Sequence, residues 1–241
     1  MIKIFQIGIV GWVITGSILL SGCMNDNDDM YTVGDQAGVN TYYPTLATVE
    51  SVEPVTIISD TYGILIPTNP DIFEKNNADS IGQRVFLNVA FQSKPENQSS
   101  SAQEVLVLNL YNVPTRSATD LRESEDIDLN HFENDPVQII GTSISNEHLN
   151  IEFNFKGSSS NNTHDFNLLL PKGTQLNANG MLPVILRHNA KSDTPTGWFW
   201  GVASFTLKSV PEYQEKNFKG FLITYNSGAD SQAVWEAKKE N

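Results

Sequence analysis

The feature that most constrains the fold is a period-two alternation of apolar and polar side chains. In residues 85–91, and again in residues 149–155, a Val, Leu, Ile or Phe occupies every second position. Such alternation predicts half-buried strands of antiparallel sheets. No long segment repeats apolar residues at helical spacing, so only short helices are expected, at 77–82 and 231–238. Further strands are predicted at residues 46–52, 55–59, 64–67, 105–113, 137–143, 166–170, 184–187, 198–207 and 218–226.

The alternation lapses between residues 113 and 135, where the segment 122–126 is charged and poor in apolar residues. We therefore predict an all-β chain of two domains joined by a linker at 115–135. The first domain, at 43–114, has room for five strands and fits a small OB-like barrel. The second, at 136–241, contains six or seven regularly spaced strands and fits an antiparallel β-sandwich of the immunoglobulin-like type.

The amino-terminal residues have the pattern of an export signal. Lys3 precedes an uncharged run at 4–20, and the small residues Ser21 and Gly22 follow. A membrane span normally needs about 20 predominantly apolar residues, and polar residues and glycines dilute this run. We therefore favour a cleaved signal peptide at 1–22 over a membrane span.

Leu20-Ser21-Gly22-Cys23 resembles the lipobox of bacterial lipoproteins, in which the cysteine is acylated and becomes the first residue of the mature chain. The resemblance implies that Cys23, the only cysteine, carries the lipid. The acidic segment that follows, within 23–42, cannot bury apolar area and is expected to be a solvated tether. The expected location is the outer membrane, with the domains facing the periplasm or the cell surface.

The chain is acidic. Lys and Arg total 15 against 28 Asp and Glu, which gives a formal net charge of −13. This sign disfavours binding to nucleic acid. Charge of this kind does not identify a partner, so a protein, a peptide and a glycan all remain open as ligands.

The sequence contains no local signature of an enzyme. A Gly-x-Ser-x-Gly elbow, a His-Glu-x-x-His motif, a phosphate-binding glycine loop and a cysteine nucleophile after Cys23 are all absent. We expect no enzyme activity and no cofactor, and a Ser-His-Asp triad assembled from distant residues is the least favoured hypothesis. The four histidines are expected at the surface or in loops. None of them is spaced as paired metal ligands along one strand or helix. His164, next to Asp165, and His188, at a strand end, are the one pair that a hairpin-built sheet could bring together at a metal site.

Trp198 and Trp200 form the most unusual local feature, because two indoles separated by one residue lie on the same face of a strand. One interpretation is that they fill the sandwich core, where large aromatics supply buried area. The other is an exposed platform for a ligand. We favour the core, and expect at least one of the two indoles to be buried there.

The segment Asp79-Ser80-Ile81 resembles the short acceptor motif for O-linked glycans in exported proteins of Bacteroidetes. It lies in a polar segment before a predicted strand. The similarity implies that Ser80 carries a glycan, and the alternative is an unmodified serine that caps a short helical turn.

Several short motifs, in order along the chain, resemble the NigD-like lipoprotein family of Bacteroidetes. They are the lipobox with its acidic tether, the Asp60-x-x-Gly63 hairpin before Ile64-Leu65-Ile66-Pro67, the Gly82-Gln83-Arg84-Val85 strand start, the Val113-Pro114-Thr115 crossing and the strand 202–207. The resemblance implies an OB-like domain, a β-sandwich and an operon association with bacteriocin production. We expect a non-enzymatic binding or accessory module; the alternatives are an assembly subunit of an envelope complex and, less favoured, a hydrolase.

Overall fold

The computed structural model describes residues 42–124, 129–145, 147–159, 164–228 and 231–239. The expected signal peptide, Cys23 and all but the last residue of the expected tether lie outside these ranges. In the described part of the chain, no helix is long and apolar enough to cross a membrane.

The first domain is a closed five-stranded barrel. Its strands are β1 (Tyr43–Val52), β2 (Val55–Ser59), β3 (Gly63–Pro67), β4 (Arg84–Phe91) and β5 (Ser99–Asn112), in the order β1-β2-β3-β5-β4. Closure between β1 and β4 leaves no free sheet edge. The barrel confirms the OB-like domain that the sequence predicts.

One turn of the barrel depends on a glycine. Gly63 has a φ of 77°, and a Cβ at this position would lie 2.3 Å from the carbonyl oxygen of Ser99. The hairpin after β2 therefore requires glycine, as the Asp-x-x-Gly pattern indicates. Alternate residues of the strands point inward and form a core that includes Val49, Ile57 and Leu87.

The helix of the barrel lies earlier than expected. The short helix α1 (Asp71–Lys75) buries Phe73 against the barrel, and a Lys75–Asp71 ion pair of 2.7 Å joins its two ends. The segment 77–82, where we predicted a helix, is made of turns and irregular structure. Asn77 and Gly82 have positive φ values of 53° and 84°, which a right-handed helix cannot contain.

The second domain is a β-sandwich of two mixed sheets, which confirms the predicted fold class. The four-stranded sheet has the order β6-β12-β9-β8, and the five-stranded sheet has the order β14-β13-β11-β10-β7. Three strand pairs, β6–β12, β7–β10 and β11–β13, are parallel, whereas the others are antiparallel. The strands are β6 (Thr115–Ser117), β7 (Thr119–Asp120), β8 (Val137–Ile144), β9 (His148–Gly157), β10 (Asp165–Leu170), β11 (Met181–Asn189), β12 (Gly197–Thr206), β13 (Gly220–Gly228) and β14 (Ser231–Lys238).

Two segments of the sandwich differ from the sequence prediction. The beginning of the expected linker at 115–135 forms β6 and β7, which pair by backbone hydrogen bonds with one sheet each. The expected helix at 231–238 is wrong, because this segment is the edge strand β14, paired with β13 along its length. Ala233, Trp235 and Ala237 pack against the core on one side of β14, while the residues between them are exposed.

Barrel and sandwich belong to one compact unit, Thr41–Asn241. Leu46 from β1, Val113 from the crossing and Val202 from β12 form a small buried cluster, with Phe86 of β4 packed against it. A polar network lies at the same junction. Arg84 in the barrel donates 2.6 and 2.8 Å hydrogen bonds to Asp60 and a 3.0 Å hydrogen bond to Asn150 on β9 of the sandwich.

Candidate functional site

Strand β12 presents both indoles to the outside of the sandwich. Its inward residues, Phe199, Ala203 and Phe205, pack in or against the core between the sheets. Trp198 and Trp200 lie on the opposite face, where they are 57% and 37% exposed. The preferred core interpretation is therefore wrong for both residues. The core does not need them, because it is filled by other rings: Phe153, Phe155, Phe166, Phe205, Phe218 and Phe221.

The barrel determines which part of this outer face stays open. Further along β12, the outward residues Val202 and Ser204 are buried. Val202 belongs to the apolar cluster of the junction, and Ser204 donates a 2.6 Å hydrogen bond to Asn150, which in turn donates to Asp60 of the barrel. Among the outward residues from Trp198 to Ser204, only Trp198 and Trp200 are thus exposed.

Two aromatic residues of the barrel extend the exposed surface. The ring of Phe86 lies 5.2 Å from the ring of Trp200, and the ring of Tyr111 lies 6.4 Å from that of Phe86. Tyr111 is 51% exposed. Trp198, Trp200, Phe86 and Tyr111 are called the aromatic strip below. The strip crosses from the sandwich to the barrel, so its geometry depends on the junction that holds the two domains together.

Polar side chains accompany the indoles on the neighbouring strands. Lys156 of β9 is the cross-strand partner of Trp198, and its ammonium lies 5.2 Å from the indole centroid, a cation–π contact. Asn154 of β9 is the partner of Trp200, and Gln138 of β8 is the partner of Asn154. Within the described residues, neither amide side chain has a hydrogen-bond partner. An exposed aromatic surface is thus bordered by amides that can both donate and accept.

Sequence reasoning missed Phe86 and Tyr111, since the contact that joins them to the indoles crosses two domains. A signal was nevertheless present. Phe86 lies between Val85 and Leu87, which point into the barrel, so the alternation places a phenylalanine on the outside. Phe86 of β4 and Tyr111 of β5 are also cross-strand partners.

The structure brings two of the histidines together in a buried cluster. His164 Nδ1 lies 2.8 Å from His188 Nε2, and His164 Nε2 lies 3.2 Å from a carboxylate oxygen of Asp193. His188 Nδ1 lies 3.1 Å from the carbonyl oxygen of Pro136, so this nitrogen carries a proton. Burial, followed by the neighbouring His164, holds the pKa of His188 below its ordinary value. The expectation of surface or loop positions is wrong for His148 and His188, which are buried in strands, whereas His164 lies in a loop before β10 with its side chain buried.

This cluster does not have the order of a catalytic triad. Ser158 donates its hydroxyl hydrogen bond to Asp193, so the carboxylate, and not an imidazole, is the group next to the serine. Both ring nitrogens of His164 are already engaged, and the side chain of His164 is almost fully buried. A general base must be able to reach the nucleophile's proton. The geometry therefore does not support serine hydrolysis at these residues.

A shared metal site at the two histidines is not supported either. Their direct nitrogen–nitrogen contact is a hydrogen bond, and Asp165 points to Arg116 and Lys191, at 2.5 and 2.9 Å. Over the described ranges, no group of three or more His, Cys, Asp or Glu side chains could hold a metal ion.

Ser80 lies in an exposed turn before β4. Its backbone amide donates a 3.3 Å hydrogen bond to the side chain of Gln83, and the neighbouring Ile81 is exposed. No helix begins at Ser80, so this serine does not cap a helical turn. The modification of Ser80 stays a prediction.

Solved structures with the same fold come from species of Bacteroides. A protein of unknown function from Bacteroides vulgatus is 20% identical with a TM-score of 0.63, and the match covers 83% of this chain and 92% of that one. A NigD-like immunity protein from Bacteroides caccae is 15% identical with a TM-score of 0.54, over 84% and 94% of the two chains. A candidate lipoprotein from Bacteroides fragilis is 12% identical with a TM-score of 0.58, over 83% and 99%.

At these identities the likenesses show a shared fold of barrel and sandwich. No match to a curated protein was found. Neither the matching family model nor the solved structures named above indicate a catalytic family. Residues 117–236 match the NigD-like C-terminal beta sandwich domain, which is the second domain that the sequence resemblance implies. The chain belongs to the NigD-like family.

Proposed function

We propose that this protein is a lipid-anchored, non-enzymatic recognition module of the outer membrane, and that the aromatic strip is its binding surface. The observation that carries the proposal is the exposure of Trp198 and Trp200 on the outer face of β12, at 57% and 37%. Large aromatic side chains are costly to leave in water, and Trp and Tyr dominate the binding energy of many interfaces. A well-filled core that leaves two indoles outside favours a ligand for them.

Contacts with neighbouring side chains and strands position the strip in the absence of a ligand. Lys156 lies over the ring of Trp198, and Phe86 packs against Trp200. Strand β12 itself pairs with β9 over its whole length and with β6 at its end. Less side-chain and backbone entropy is lost on binding when a surface is already ordered, which increases affinity.

The anchor rests on the amino-terminal sequence. The apolar run at 4–20 and the Leu20-Ser21-Gly22-Cys23 motif favour export and acylation of Cys23. A Bacteroides fragilis protein of the same fold is described as a candidate lipoprotein. Because a single acyl chain binds a membrane only weakly, stable anchoring would need a second acyl chain or a second contact with the membrane.

Binding of the chain to its own envelope tests the recognition role without assuming a ligand class. A chain that starts at Met24 carries no lipid, so its sedimentation with envelope fragments of the native host reports binding by the domains alone. We expect wild-type protein to co-sediment, and Trp198→Ala/Trp200→Ala to stay in the supernatant.

Val234→Ala is the matched control, because Val234 is an exposed apolar residue on the edge strand of the other sheet. This variant should sediment like the wild type. Equal sedimentation of the wild type and the double indole variant would contradict the proposal.

A further inference from the structure

The ligand class of the aromatic strip follows from the side chains beside it. In addition to the proposed binding role, on which this inference rests, we infer that the strip binds a neutral carbohydrate chain. A pyranose ring has an apolar face of C–H bonds and a rim of hydroxyl groups. A matching site offers aromatic rings for the face and, beside them, groups that donate and accept hydrogen bonds for the rim.

Strand register places these two kinds of group side by side. The cross-strand pairs Trp200–Asn154 and Asn154–Gln138 put an indole and two amides in one row across three strands of the sheet. All three side chains face outward, because Phe153, Phe155, Val137 and Ile139 on the same strands belong to the core. The amides have no side-chain hydrogen-bond partner in the described residues, so they can bond hydroxyls without breaking an existing contact.

The indoles are spaced for an extended ligand. Trp198 and Trp200 are two residues apart on one strand, which separates them by about 6.7 Å. The ring of Phe86 in the barrel adds a third aromatic ring, 5.2 Å from that of Trp200. A chain of sugars that lies along β12 can therefore meet successive rings, whereas a single small molecule would meet one.

Charge favours a neutral glycan over an anionic one. The protein carries a net charge of −13, which repels anionic polymers. Asn154 and Gln138, the amides in register with Trp200, carry no charge. The ammonium of Lys156, the cross-strand partner of Trp198, is engaged with that indole. The negative net charge of the protein and the uncharged amides beside the indoles thus both favour a neutral ligand.

The size of the open surface favours a glycan over a protein. A stable protein interface buries about 800 Å² on each partner. The barrel already covers Val202 and Ser204, so between Trp198 and Ser204 the open outward part of β12 consists of the two indoles. A narrow row of rings bordered by amides matches a polymer of sugars better than it matches a broad protein interface.

Affinity electrophoresis tests the inference with defined probes. The chain that starts at Met24 is run through native gels that contain a soluble neutral polysaccharide: β-glucan, xylan, mannan or galactan. We expect at least one of them to retard the wild type, and the retardation to persist at high salt because the ligand is uncharged. Trp198→Ala and Trp200→Ala should each weaken binding about tenfold or more, the factor that corresponds to about 1.4 kcal/mol. Asn154→Ala should weaken it less, and Val234→Ala should leave it unchanged.

The outcomes separate this inference from the proposed function. If none of the four polysaccharides retards the wild type, or if the indole variants are retarded equally, the carbohydrate inference is overturned. If the envelope co-sedimentation still depends on the two indoles in that case, the recognition role stands and its ligand is a protein. If the wild type neither is retarded by a polysaccharide nor co-sediments with envelope fragments, both proposals are overturned. Thermal unfolding of each variant verifies that it is folded.

Discussion

Replacement of Arg84 by methionine tests whether the junction between barrel and sandwich is an integral part of the fold. The guanidinium of Arg84 is fully buried and donates two hydrogen bonds to Asp60, one to Thr48 and one to Asn150. Methionine retains much of the volume and removes the charge. The carboxylate of Asp60 then loses its ion-pair partner, although its side chain is only 17% exposed.

The expected magnitude follows from this geometry. Removal of one partner of a buried ion pair costs about 3–5 kcal/mol, chiefly because the other charge is left without compensation. Since water still reaches part of Asp60, we expect Arg84→Met to lower the free energy of unfolding by about 3 kcal/mol, the lower end of that range. The double variant Arg84→Met/Asp60→Leu removes both charges and should recover at least half of the loss.

The assay is urea unfolding of the chain that starts at Met24, followed by tryptophan fluorescence and circular dichroism. Lys75→Met is the matched control, because the Lys75–Asp71 pair has a similar length of 2.7 Å but both side chains are about 60% exposed. Exposed pairs contribute little to stability, because water and salt screen their attraction. If Arg84→Met costs no more than Lys75→Met, the reasoning about the junction is refuted.

Three further predictions concern pH, the anchor and Ser80. Burial holds the pKa values of His188 and His148 below their ordinary value of 6.5. The stability that the neutral imidazoles contribute should therefore be fully present above about pH 6.5. The free energy of unfolding should decrease as the pH falls below this value and through the lower pKa values of the folded state. His188→Phe should flatten this dependence in urea midpoints measured from about pH 7.5 to 5, and an unchanged slope would contradict the assignment. Cys23→Ser should abolish incorporation of a fatty-acid analogue during growth, and equal labelling would exclude the lipid anchor. The intact mass of protein from the native host should exceed that of Ser80→Ala by a glycan, and a difference equal to the substitution alone would remove the modification.

The sequence was most informative where side-chain alternation and burial agree. The strands β4 and β9 place every second residue in a core, whereas their other face carries polar or half-buried residues, among them Arg84 and Asn150, which are buried at the junction of the domains. Strand β14 has no such strong signal. Its inward residues include two alanines, and Ala, Glu and Lys favour helices in isolation, so pairing with β13 overrides the local preference.

The beginning of the expected linker illustrates a second limit. Strands β6 and β7 contain Thr, Arg, Ser and Asp and join their sheets through parallel backbone pairing. Backbone hydrogen bonds need no apolar side chains, so hydrophobic patterning does not detect such short edge strands. Residues 115–120 therefore belong to the sandwich sheets.

Sequence reasoning could predict part of the candidate site, namely that its two indoles lie on the same face of one strand. Spacing predicted that Trp198 and Trp200 share a face of β12, and they do. It could not predict which face, since that depends on how six phenylalanines fill the core and on where the barrel covers the sheet. The contact of Trp200 with Phe86 joins residues that are far apart in sequence, as does the contact of His164 with Asp193. Only the tertiary structure brings these residues together.

The central claim is that the exposed indoles serve recognition and do not support the fold. Its most direct test measures, on the same Trp198→Ala/Trp200→Ala protein, both the free energy of unfolding and the co-sedimentation with native envelope fragments. The account predicts a stability change within about 1 kcal/mol, as expected for two surface substitutions, together with at least about a tenfold loss of envelope binding. A loss of about 3–5 kcal/mol or more in this double variant, the magnitude typical of a deleted core aromatic, or envelope binding equal to that of the wild type, would contradict it.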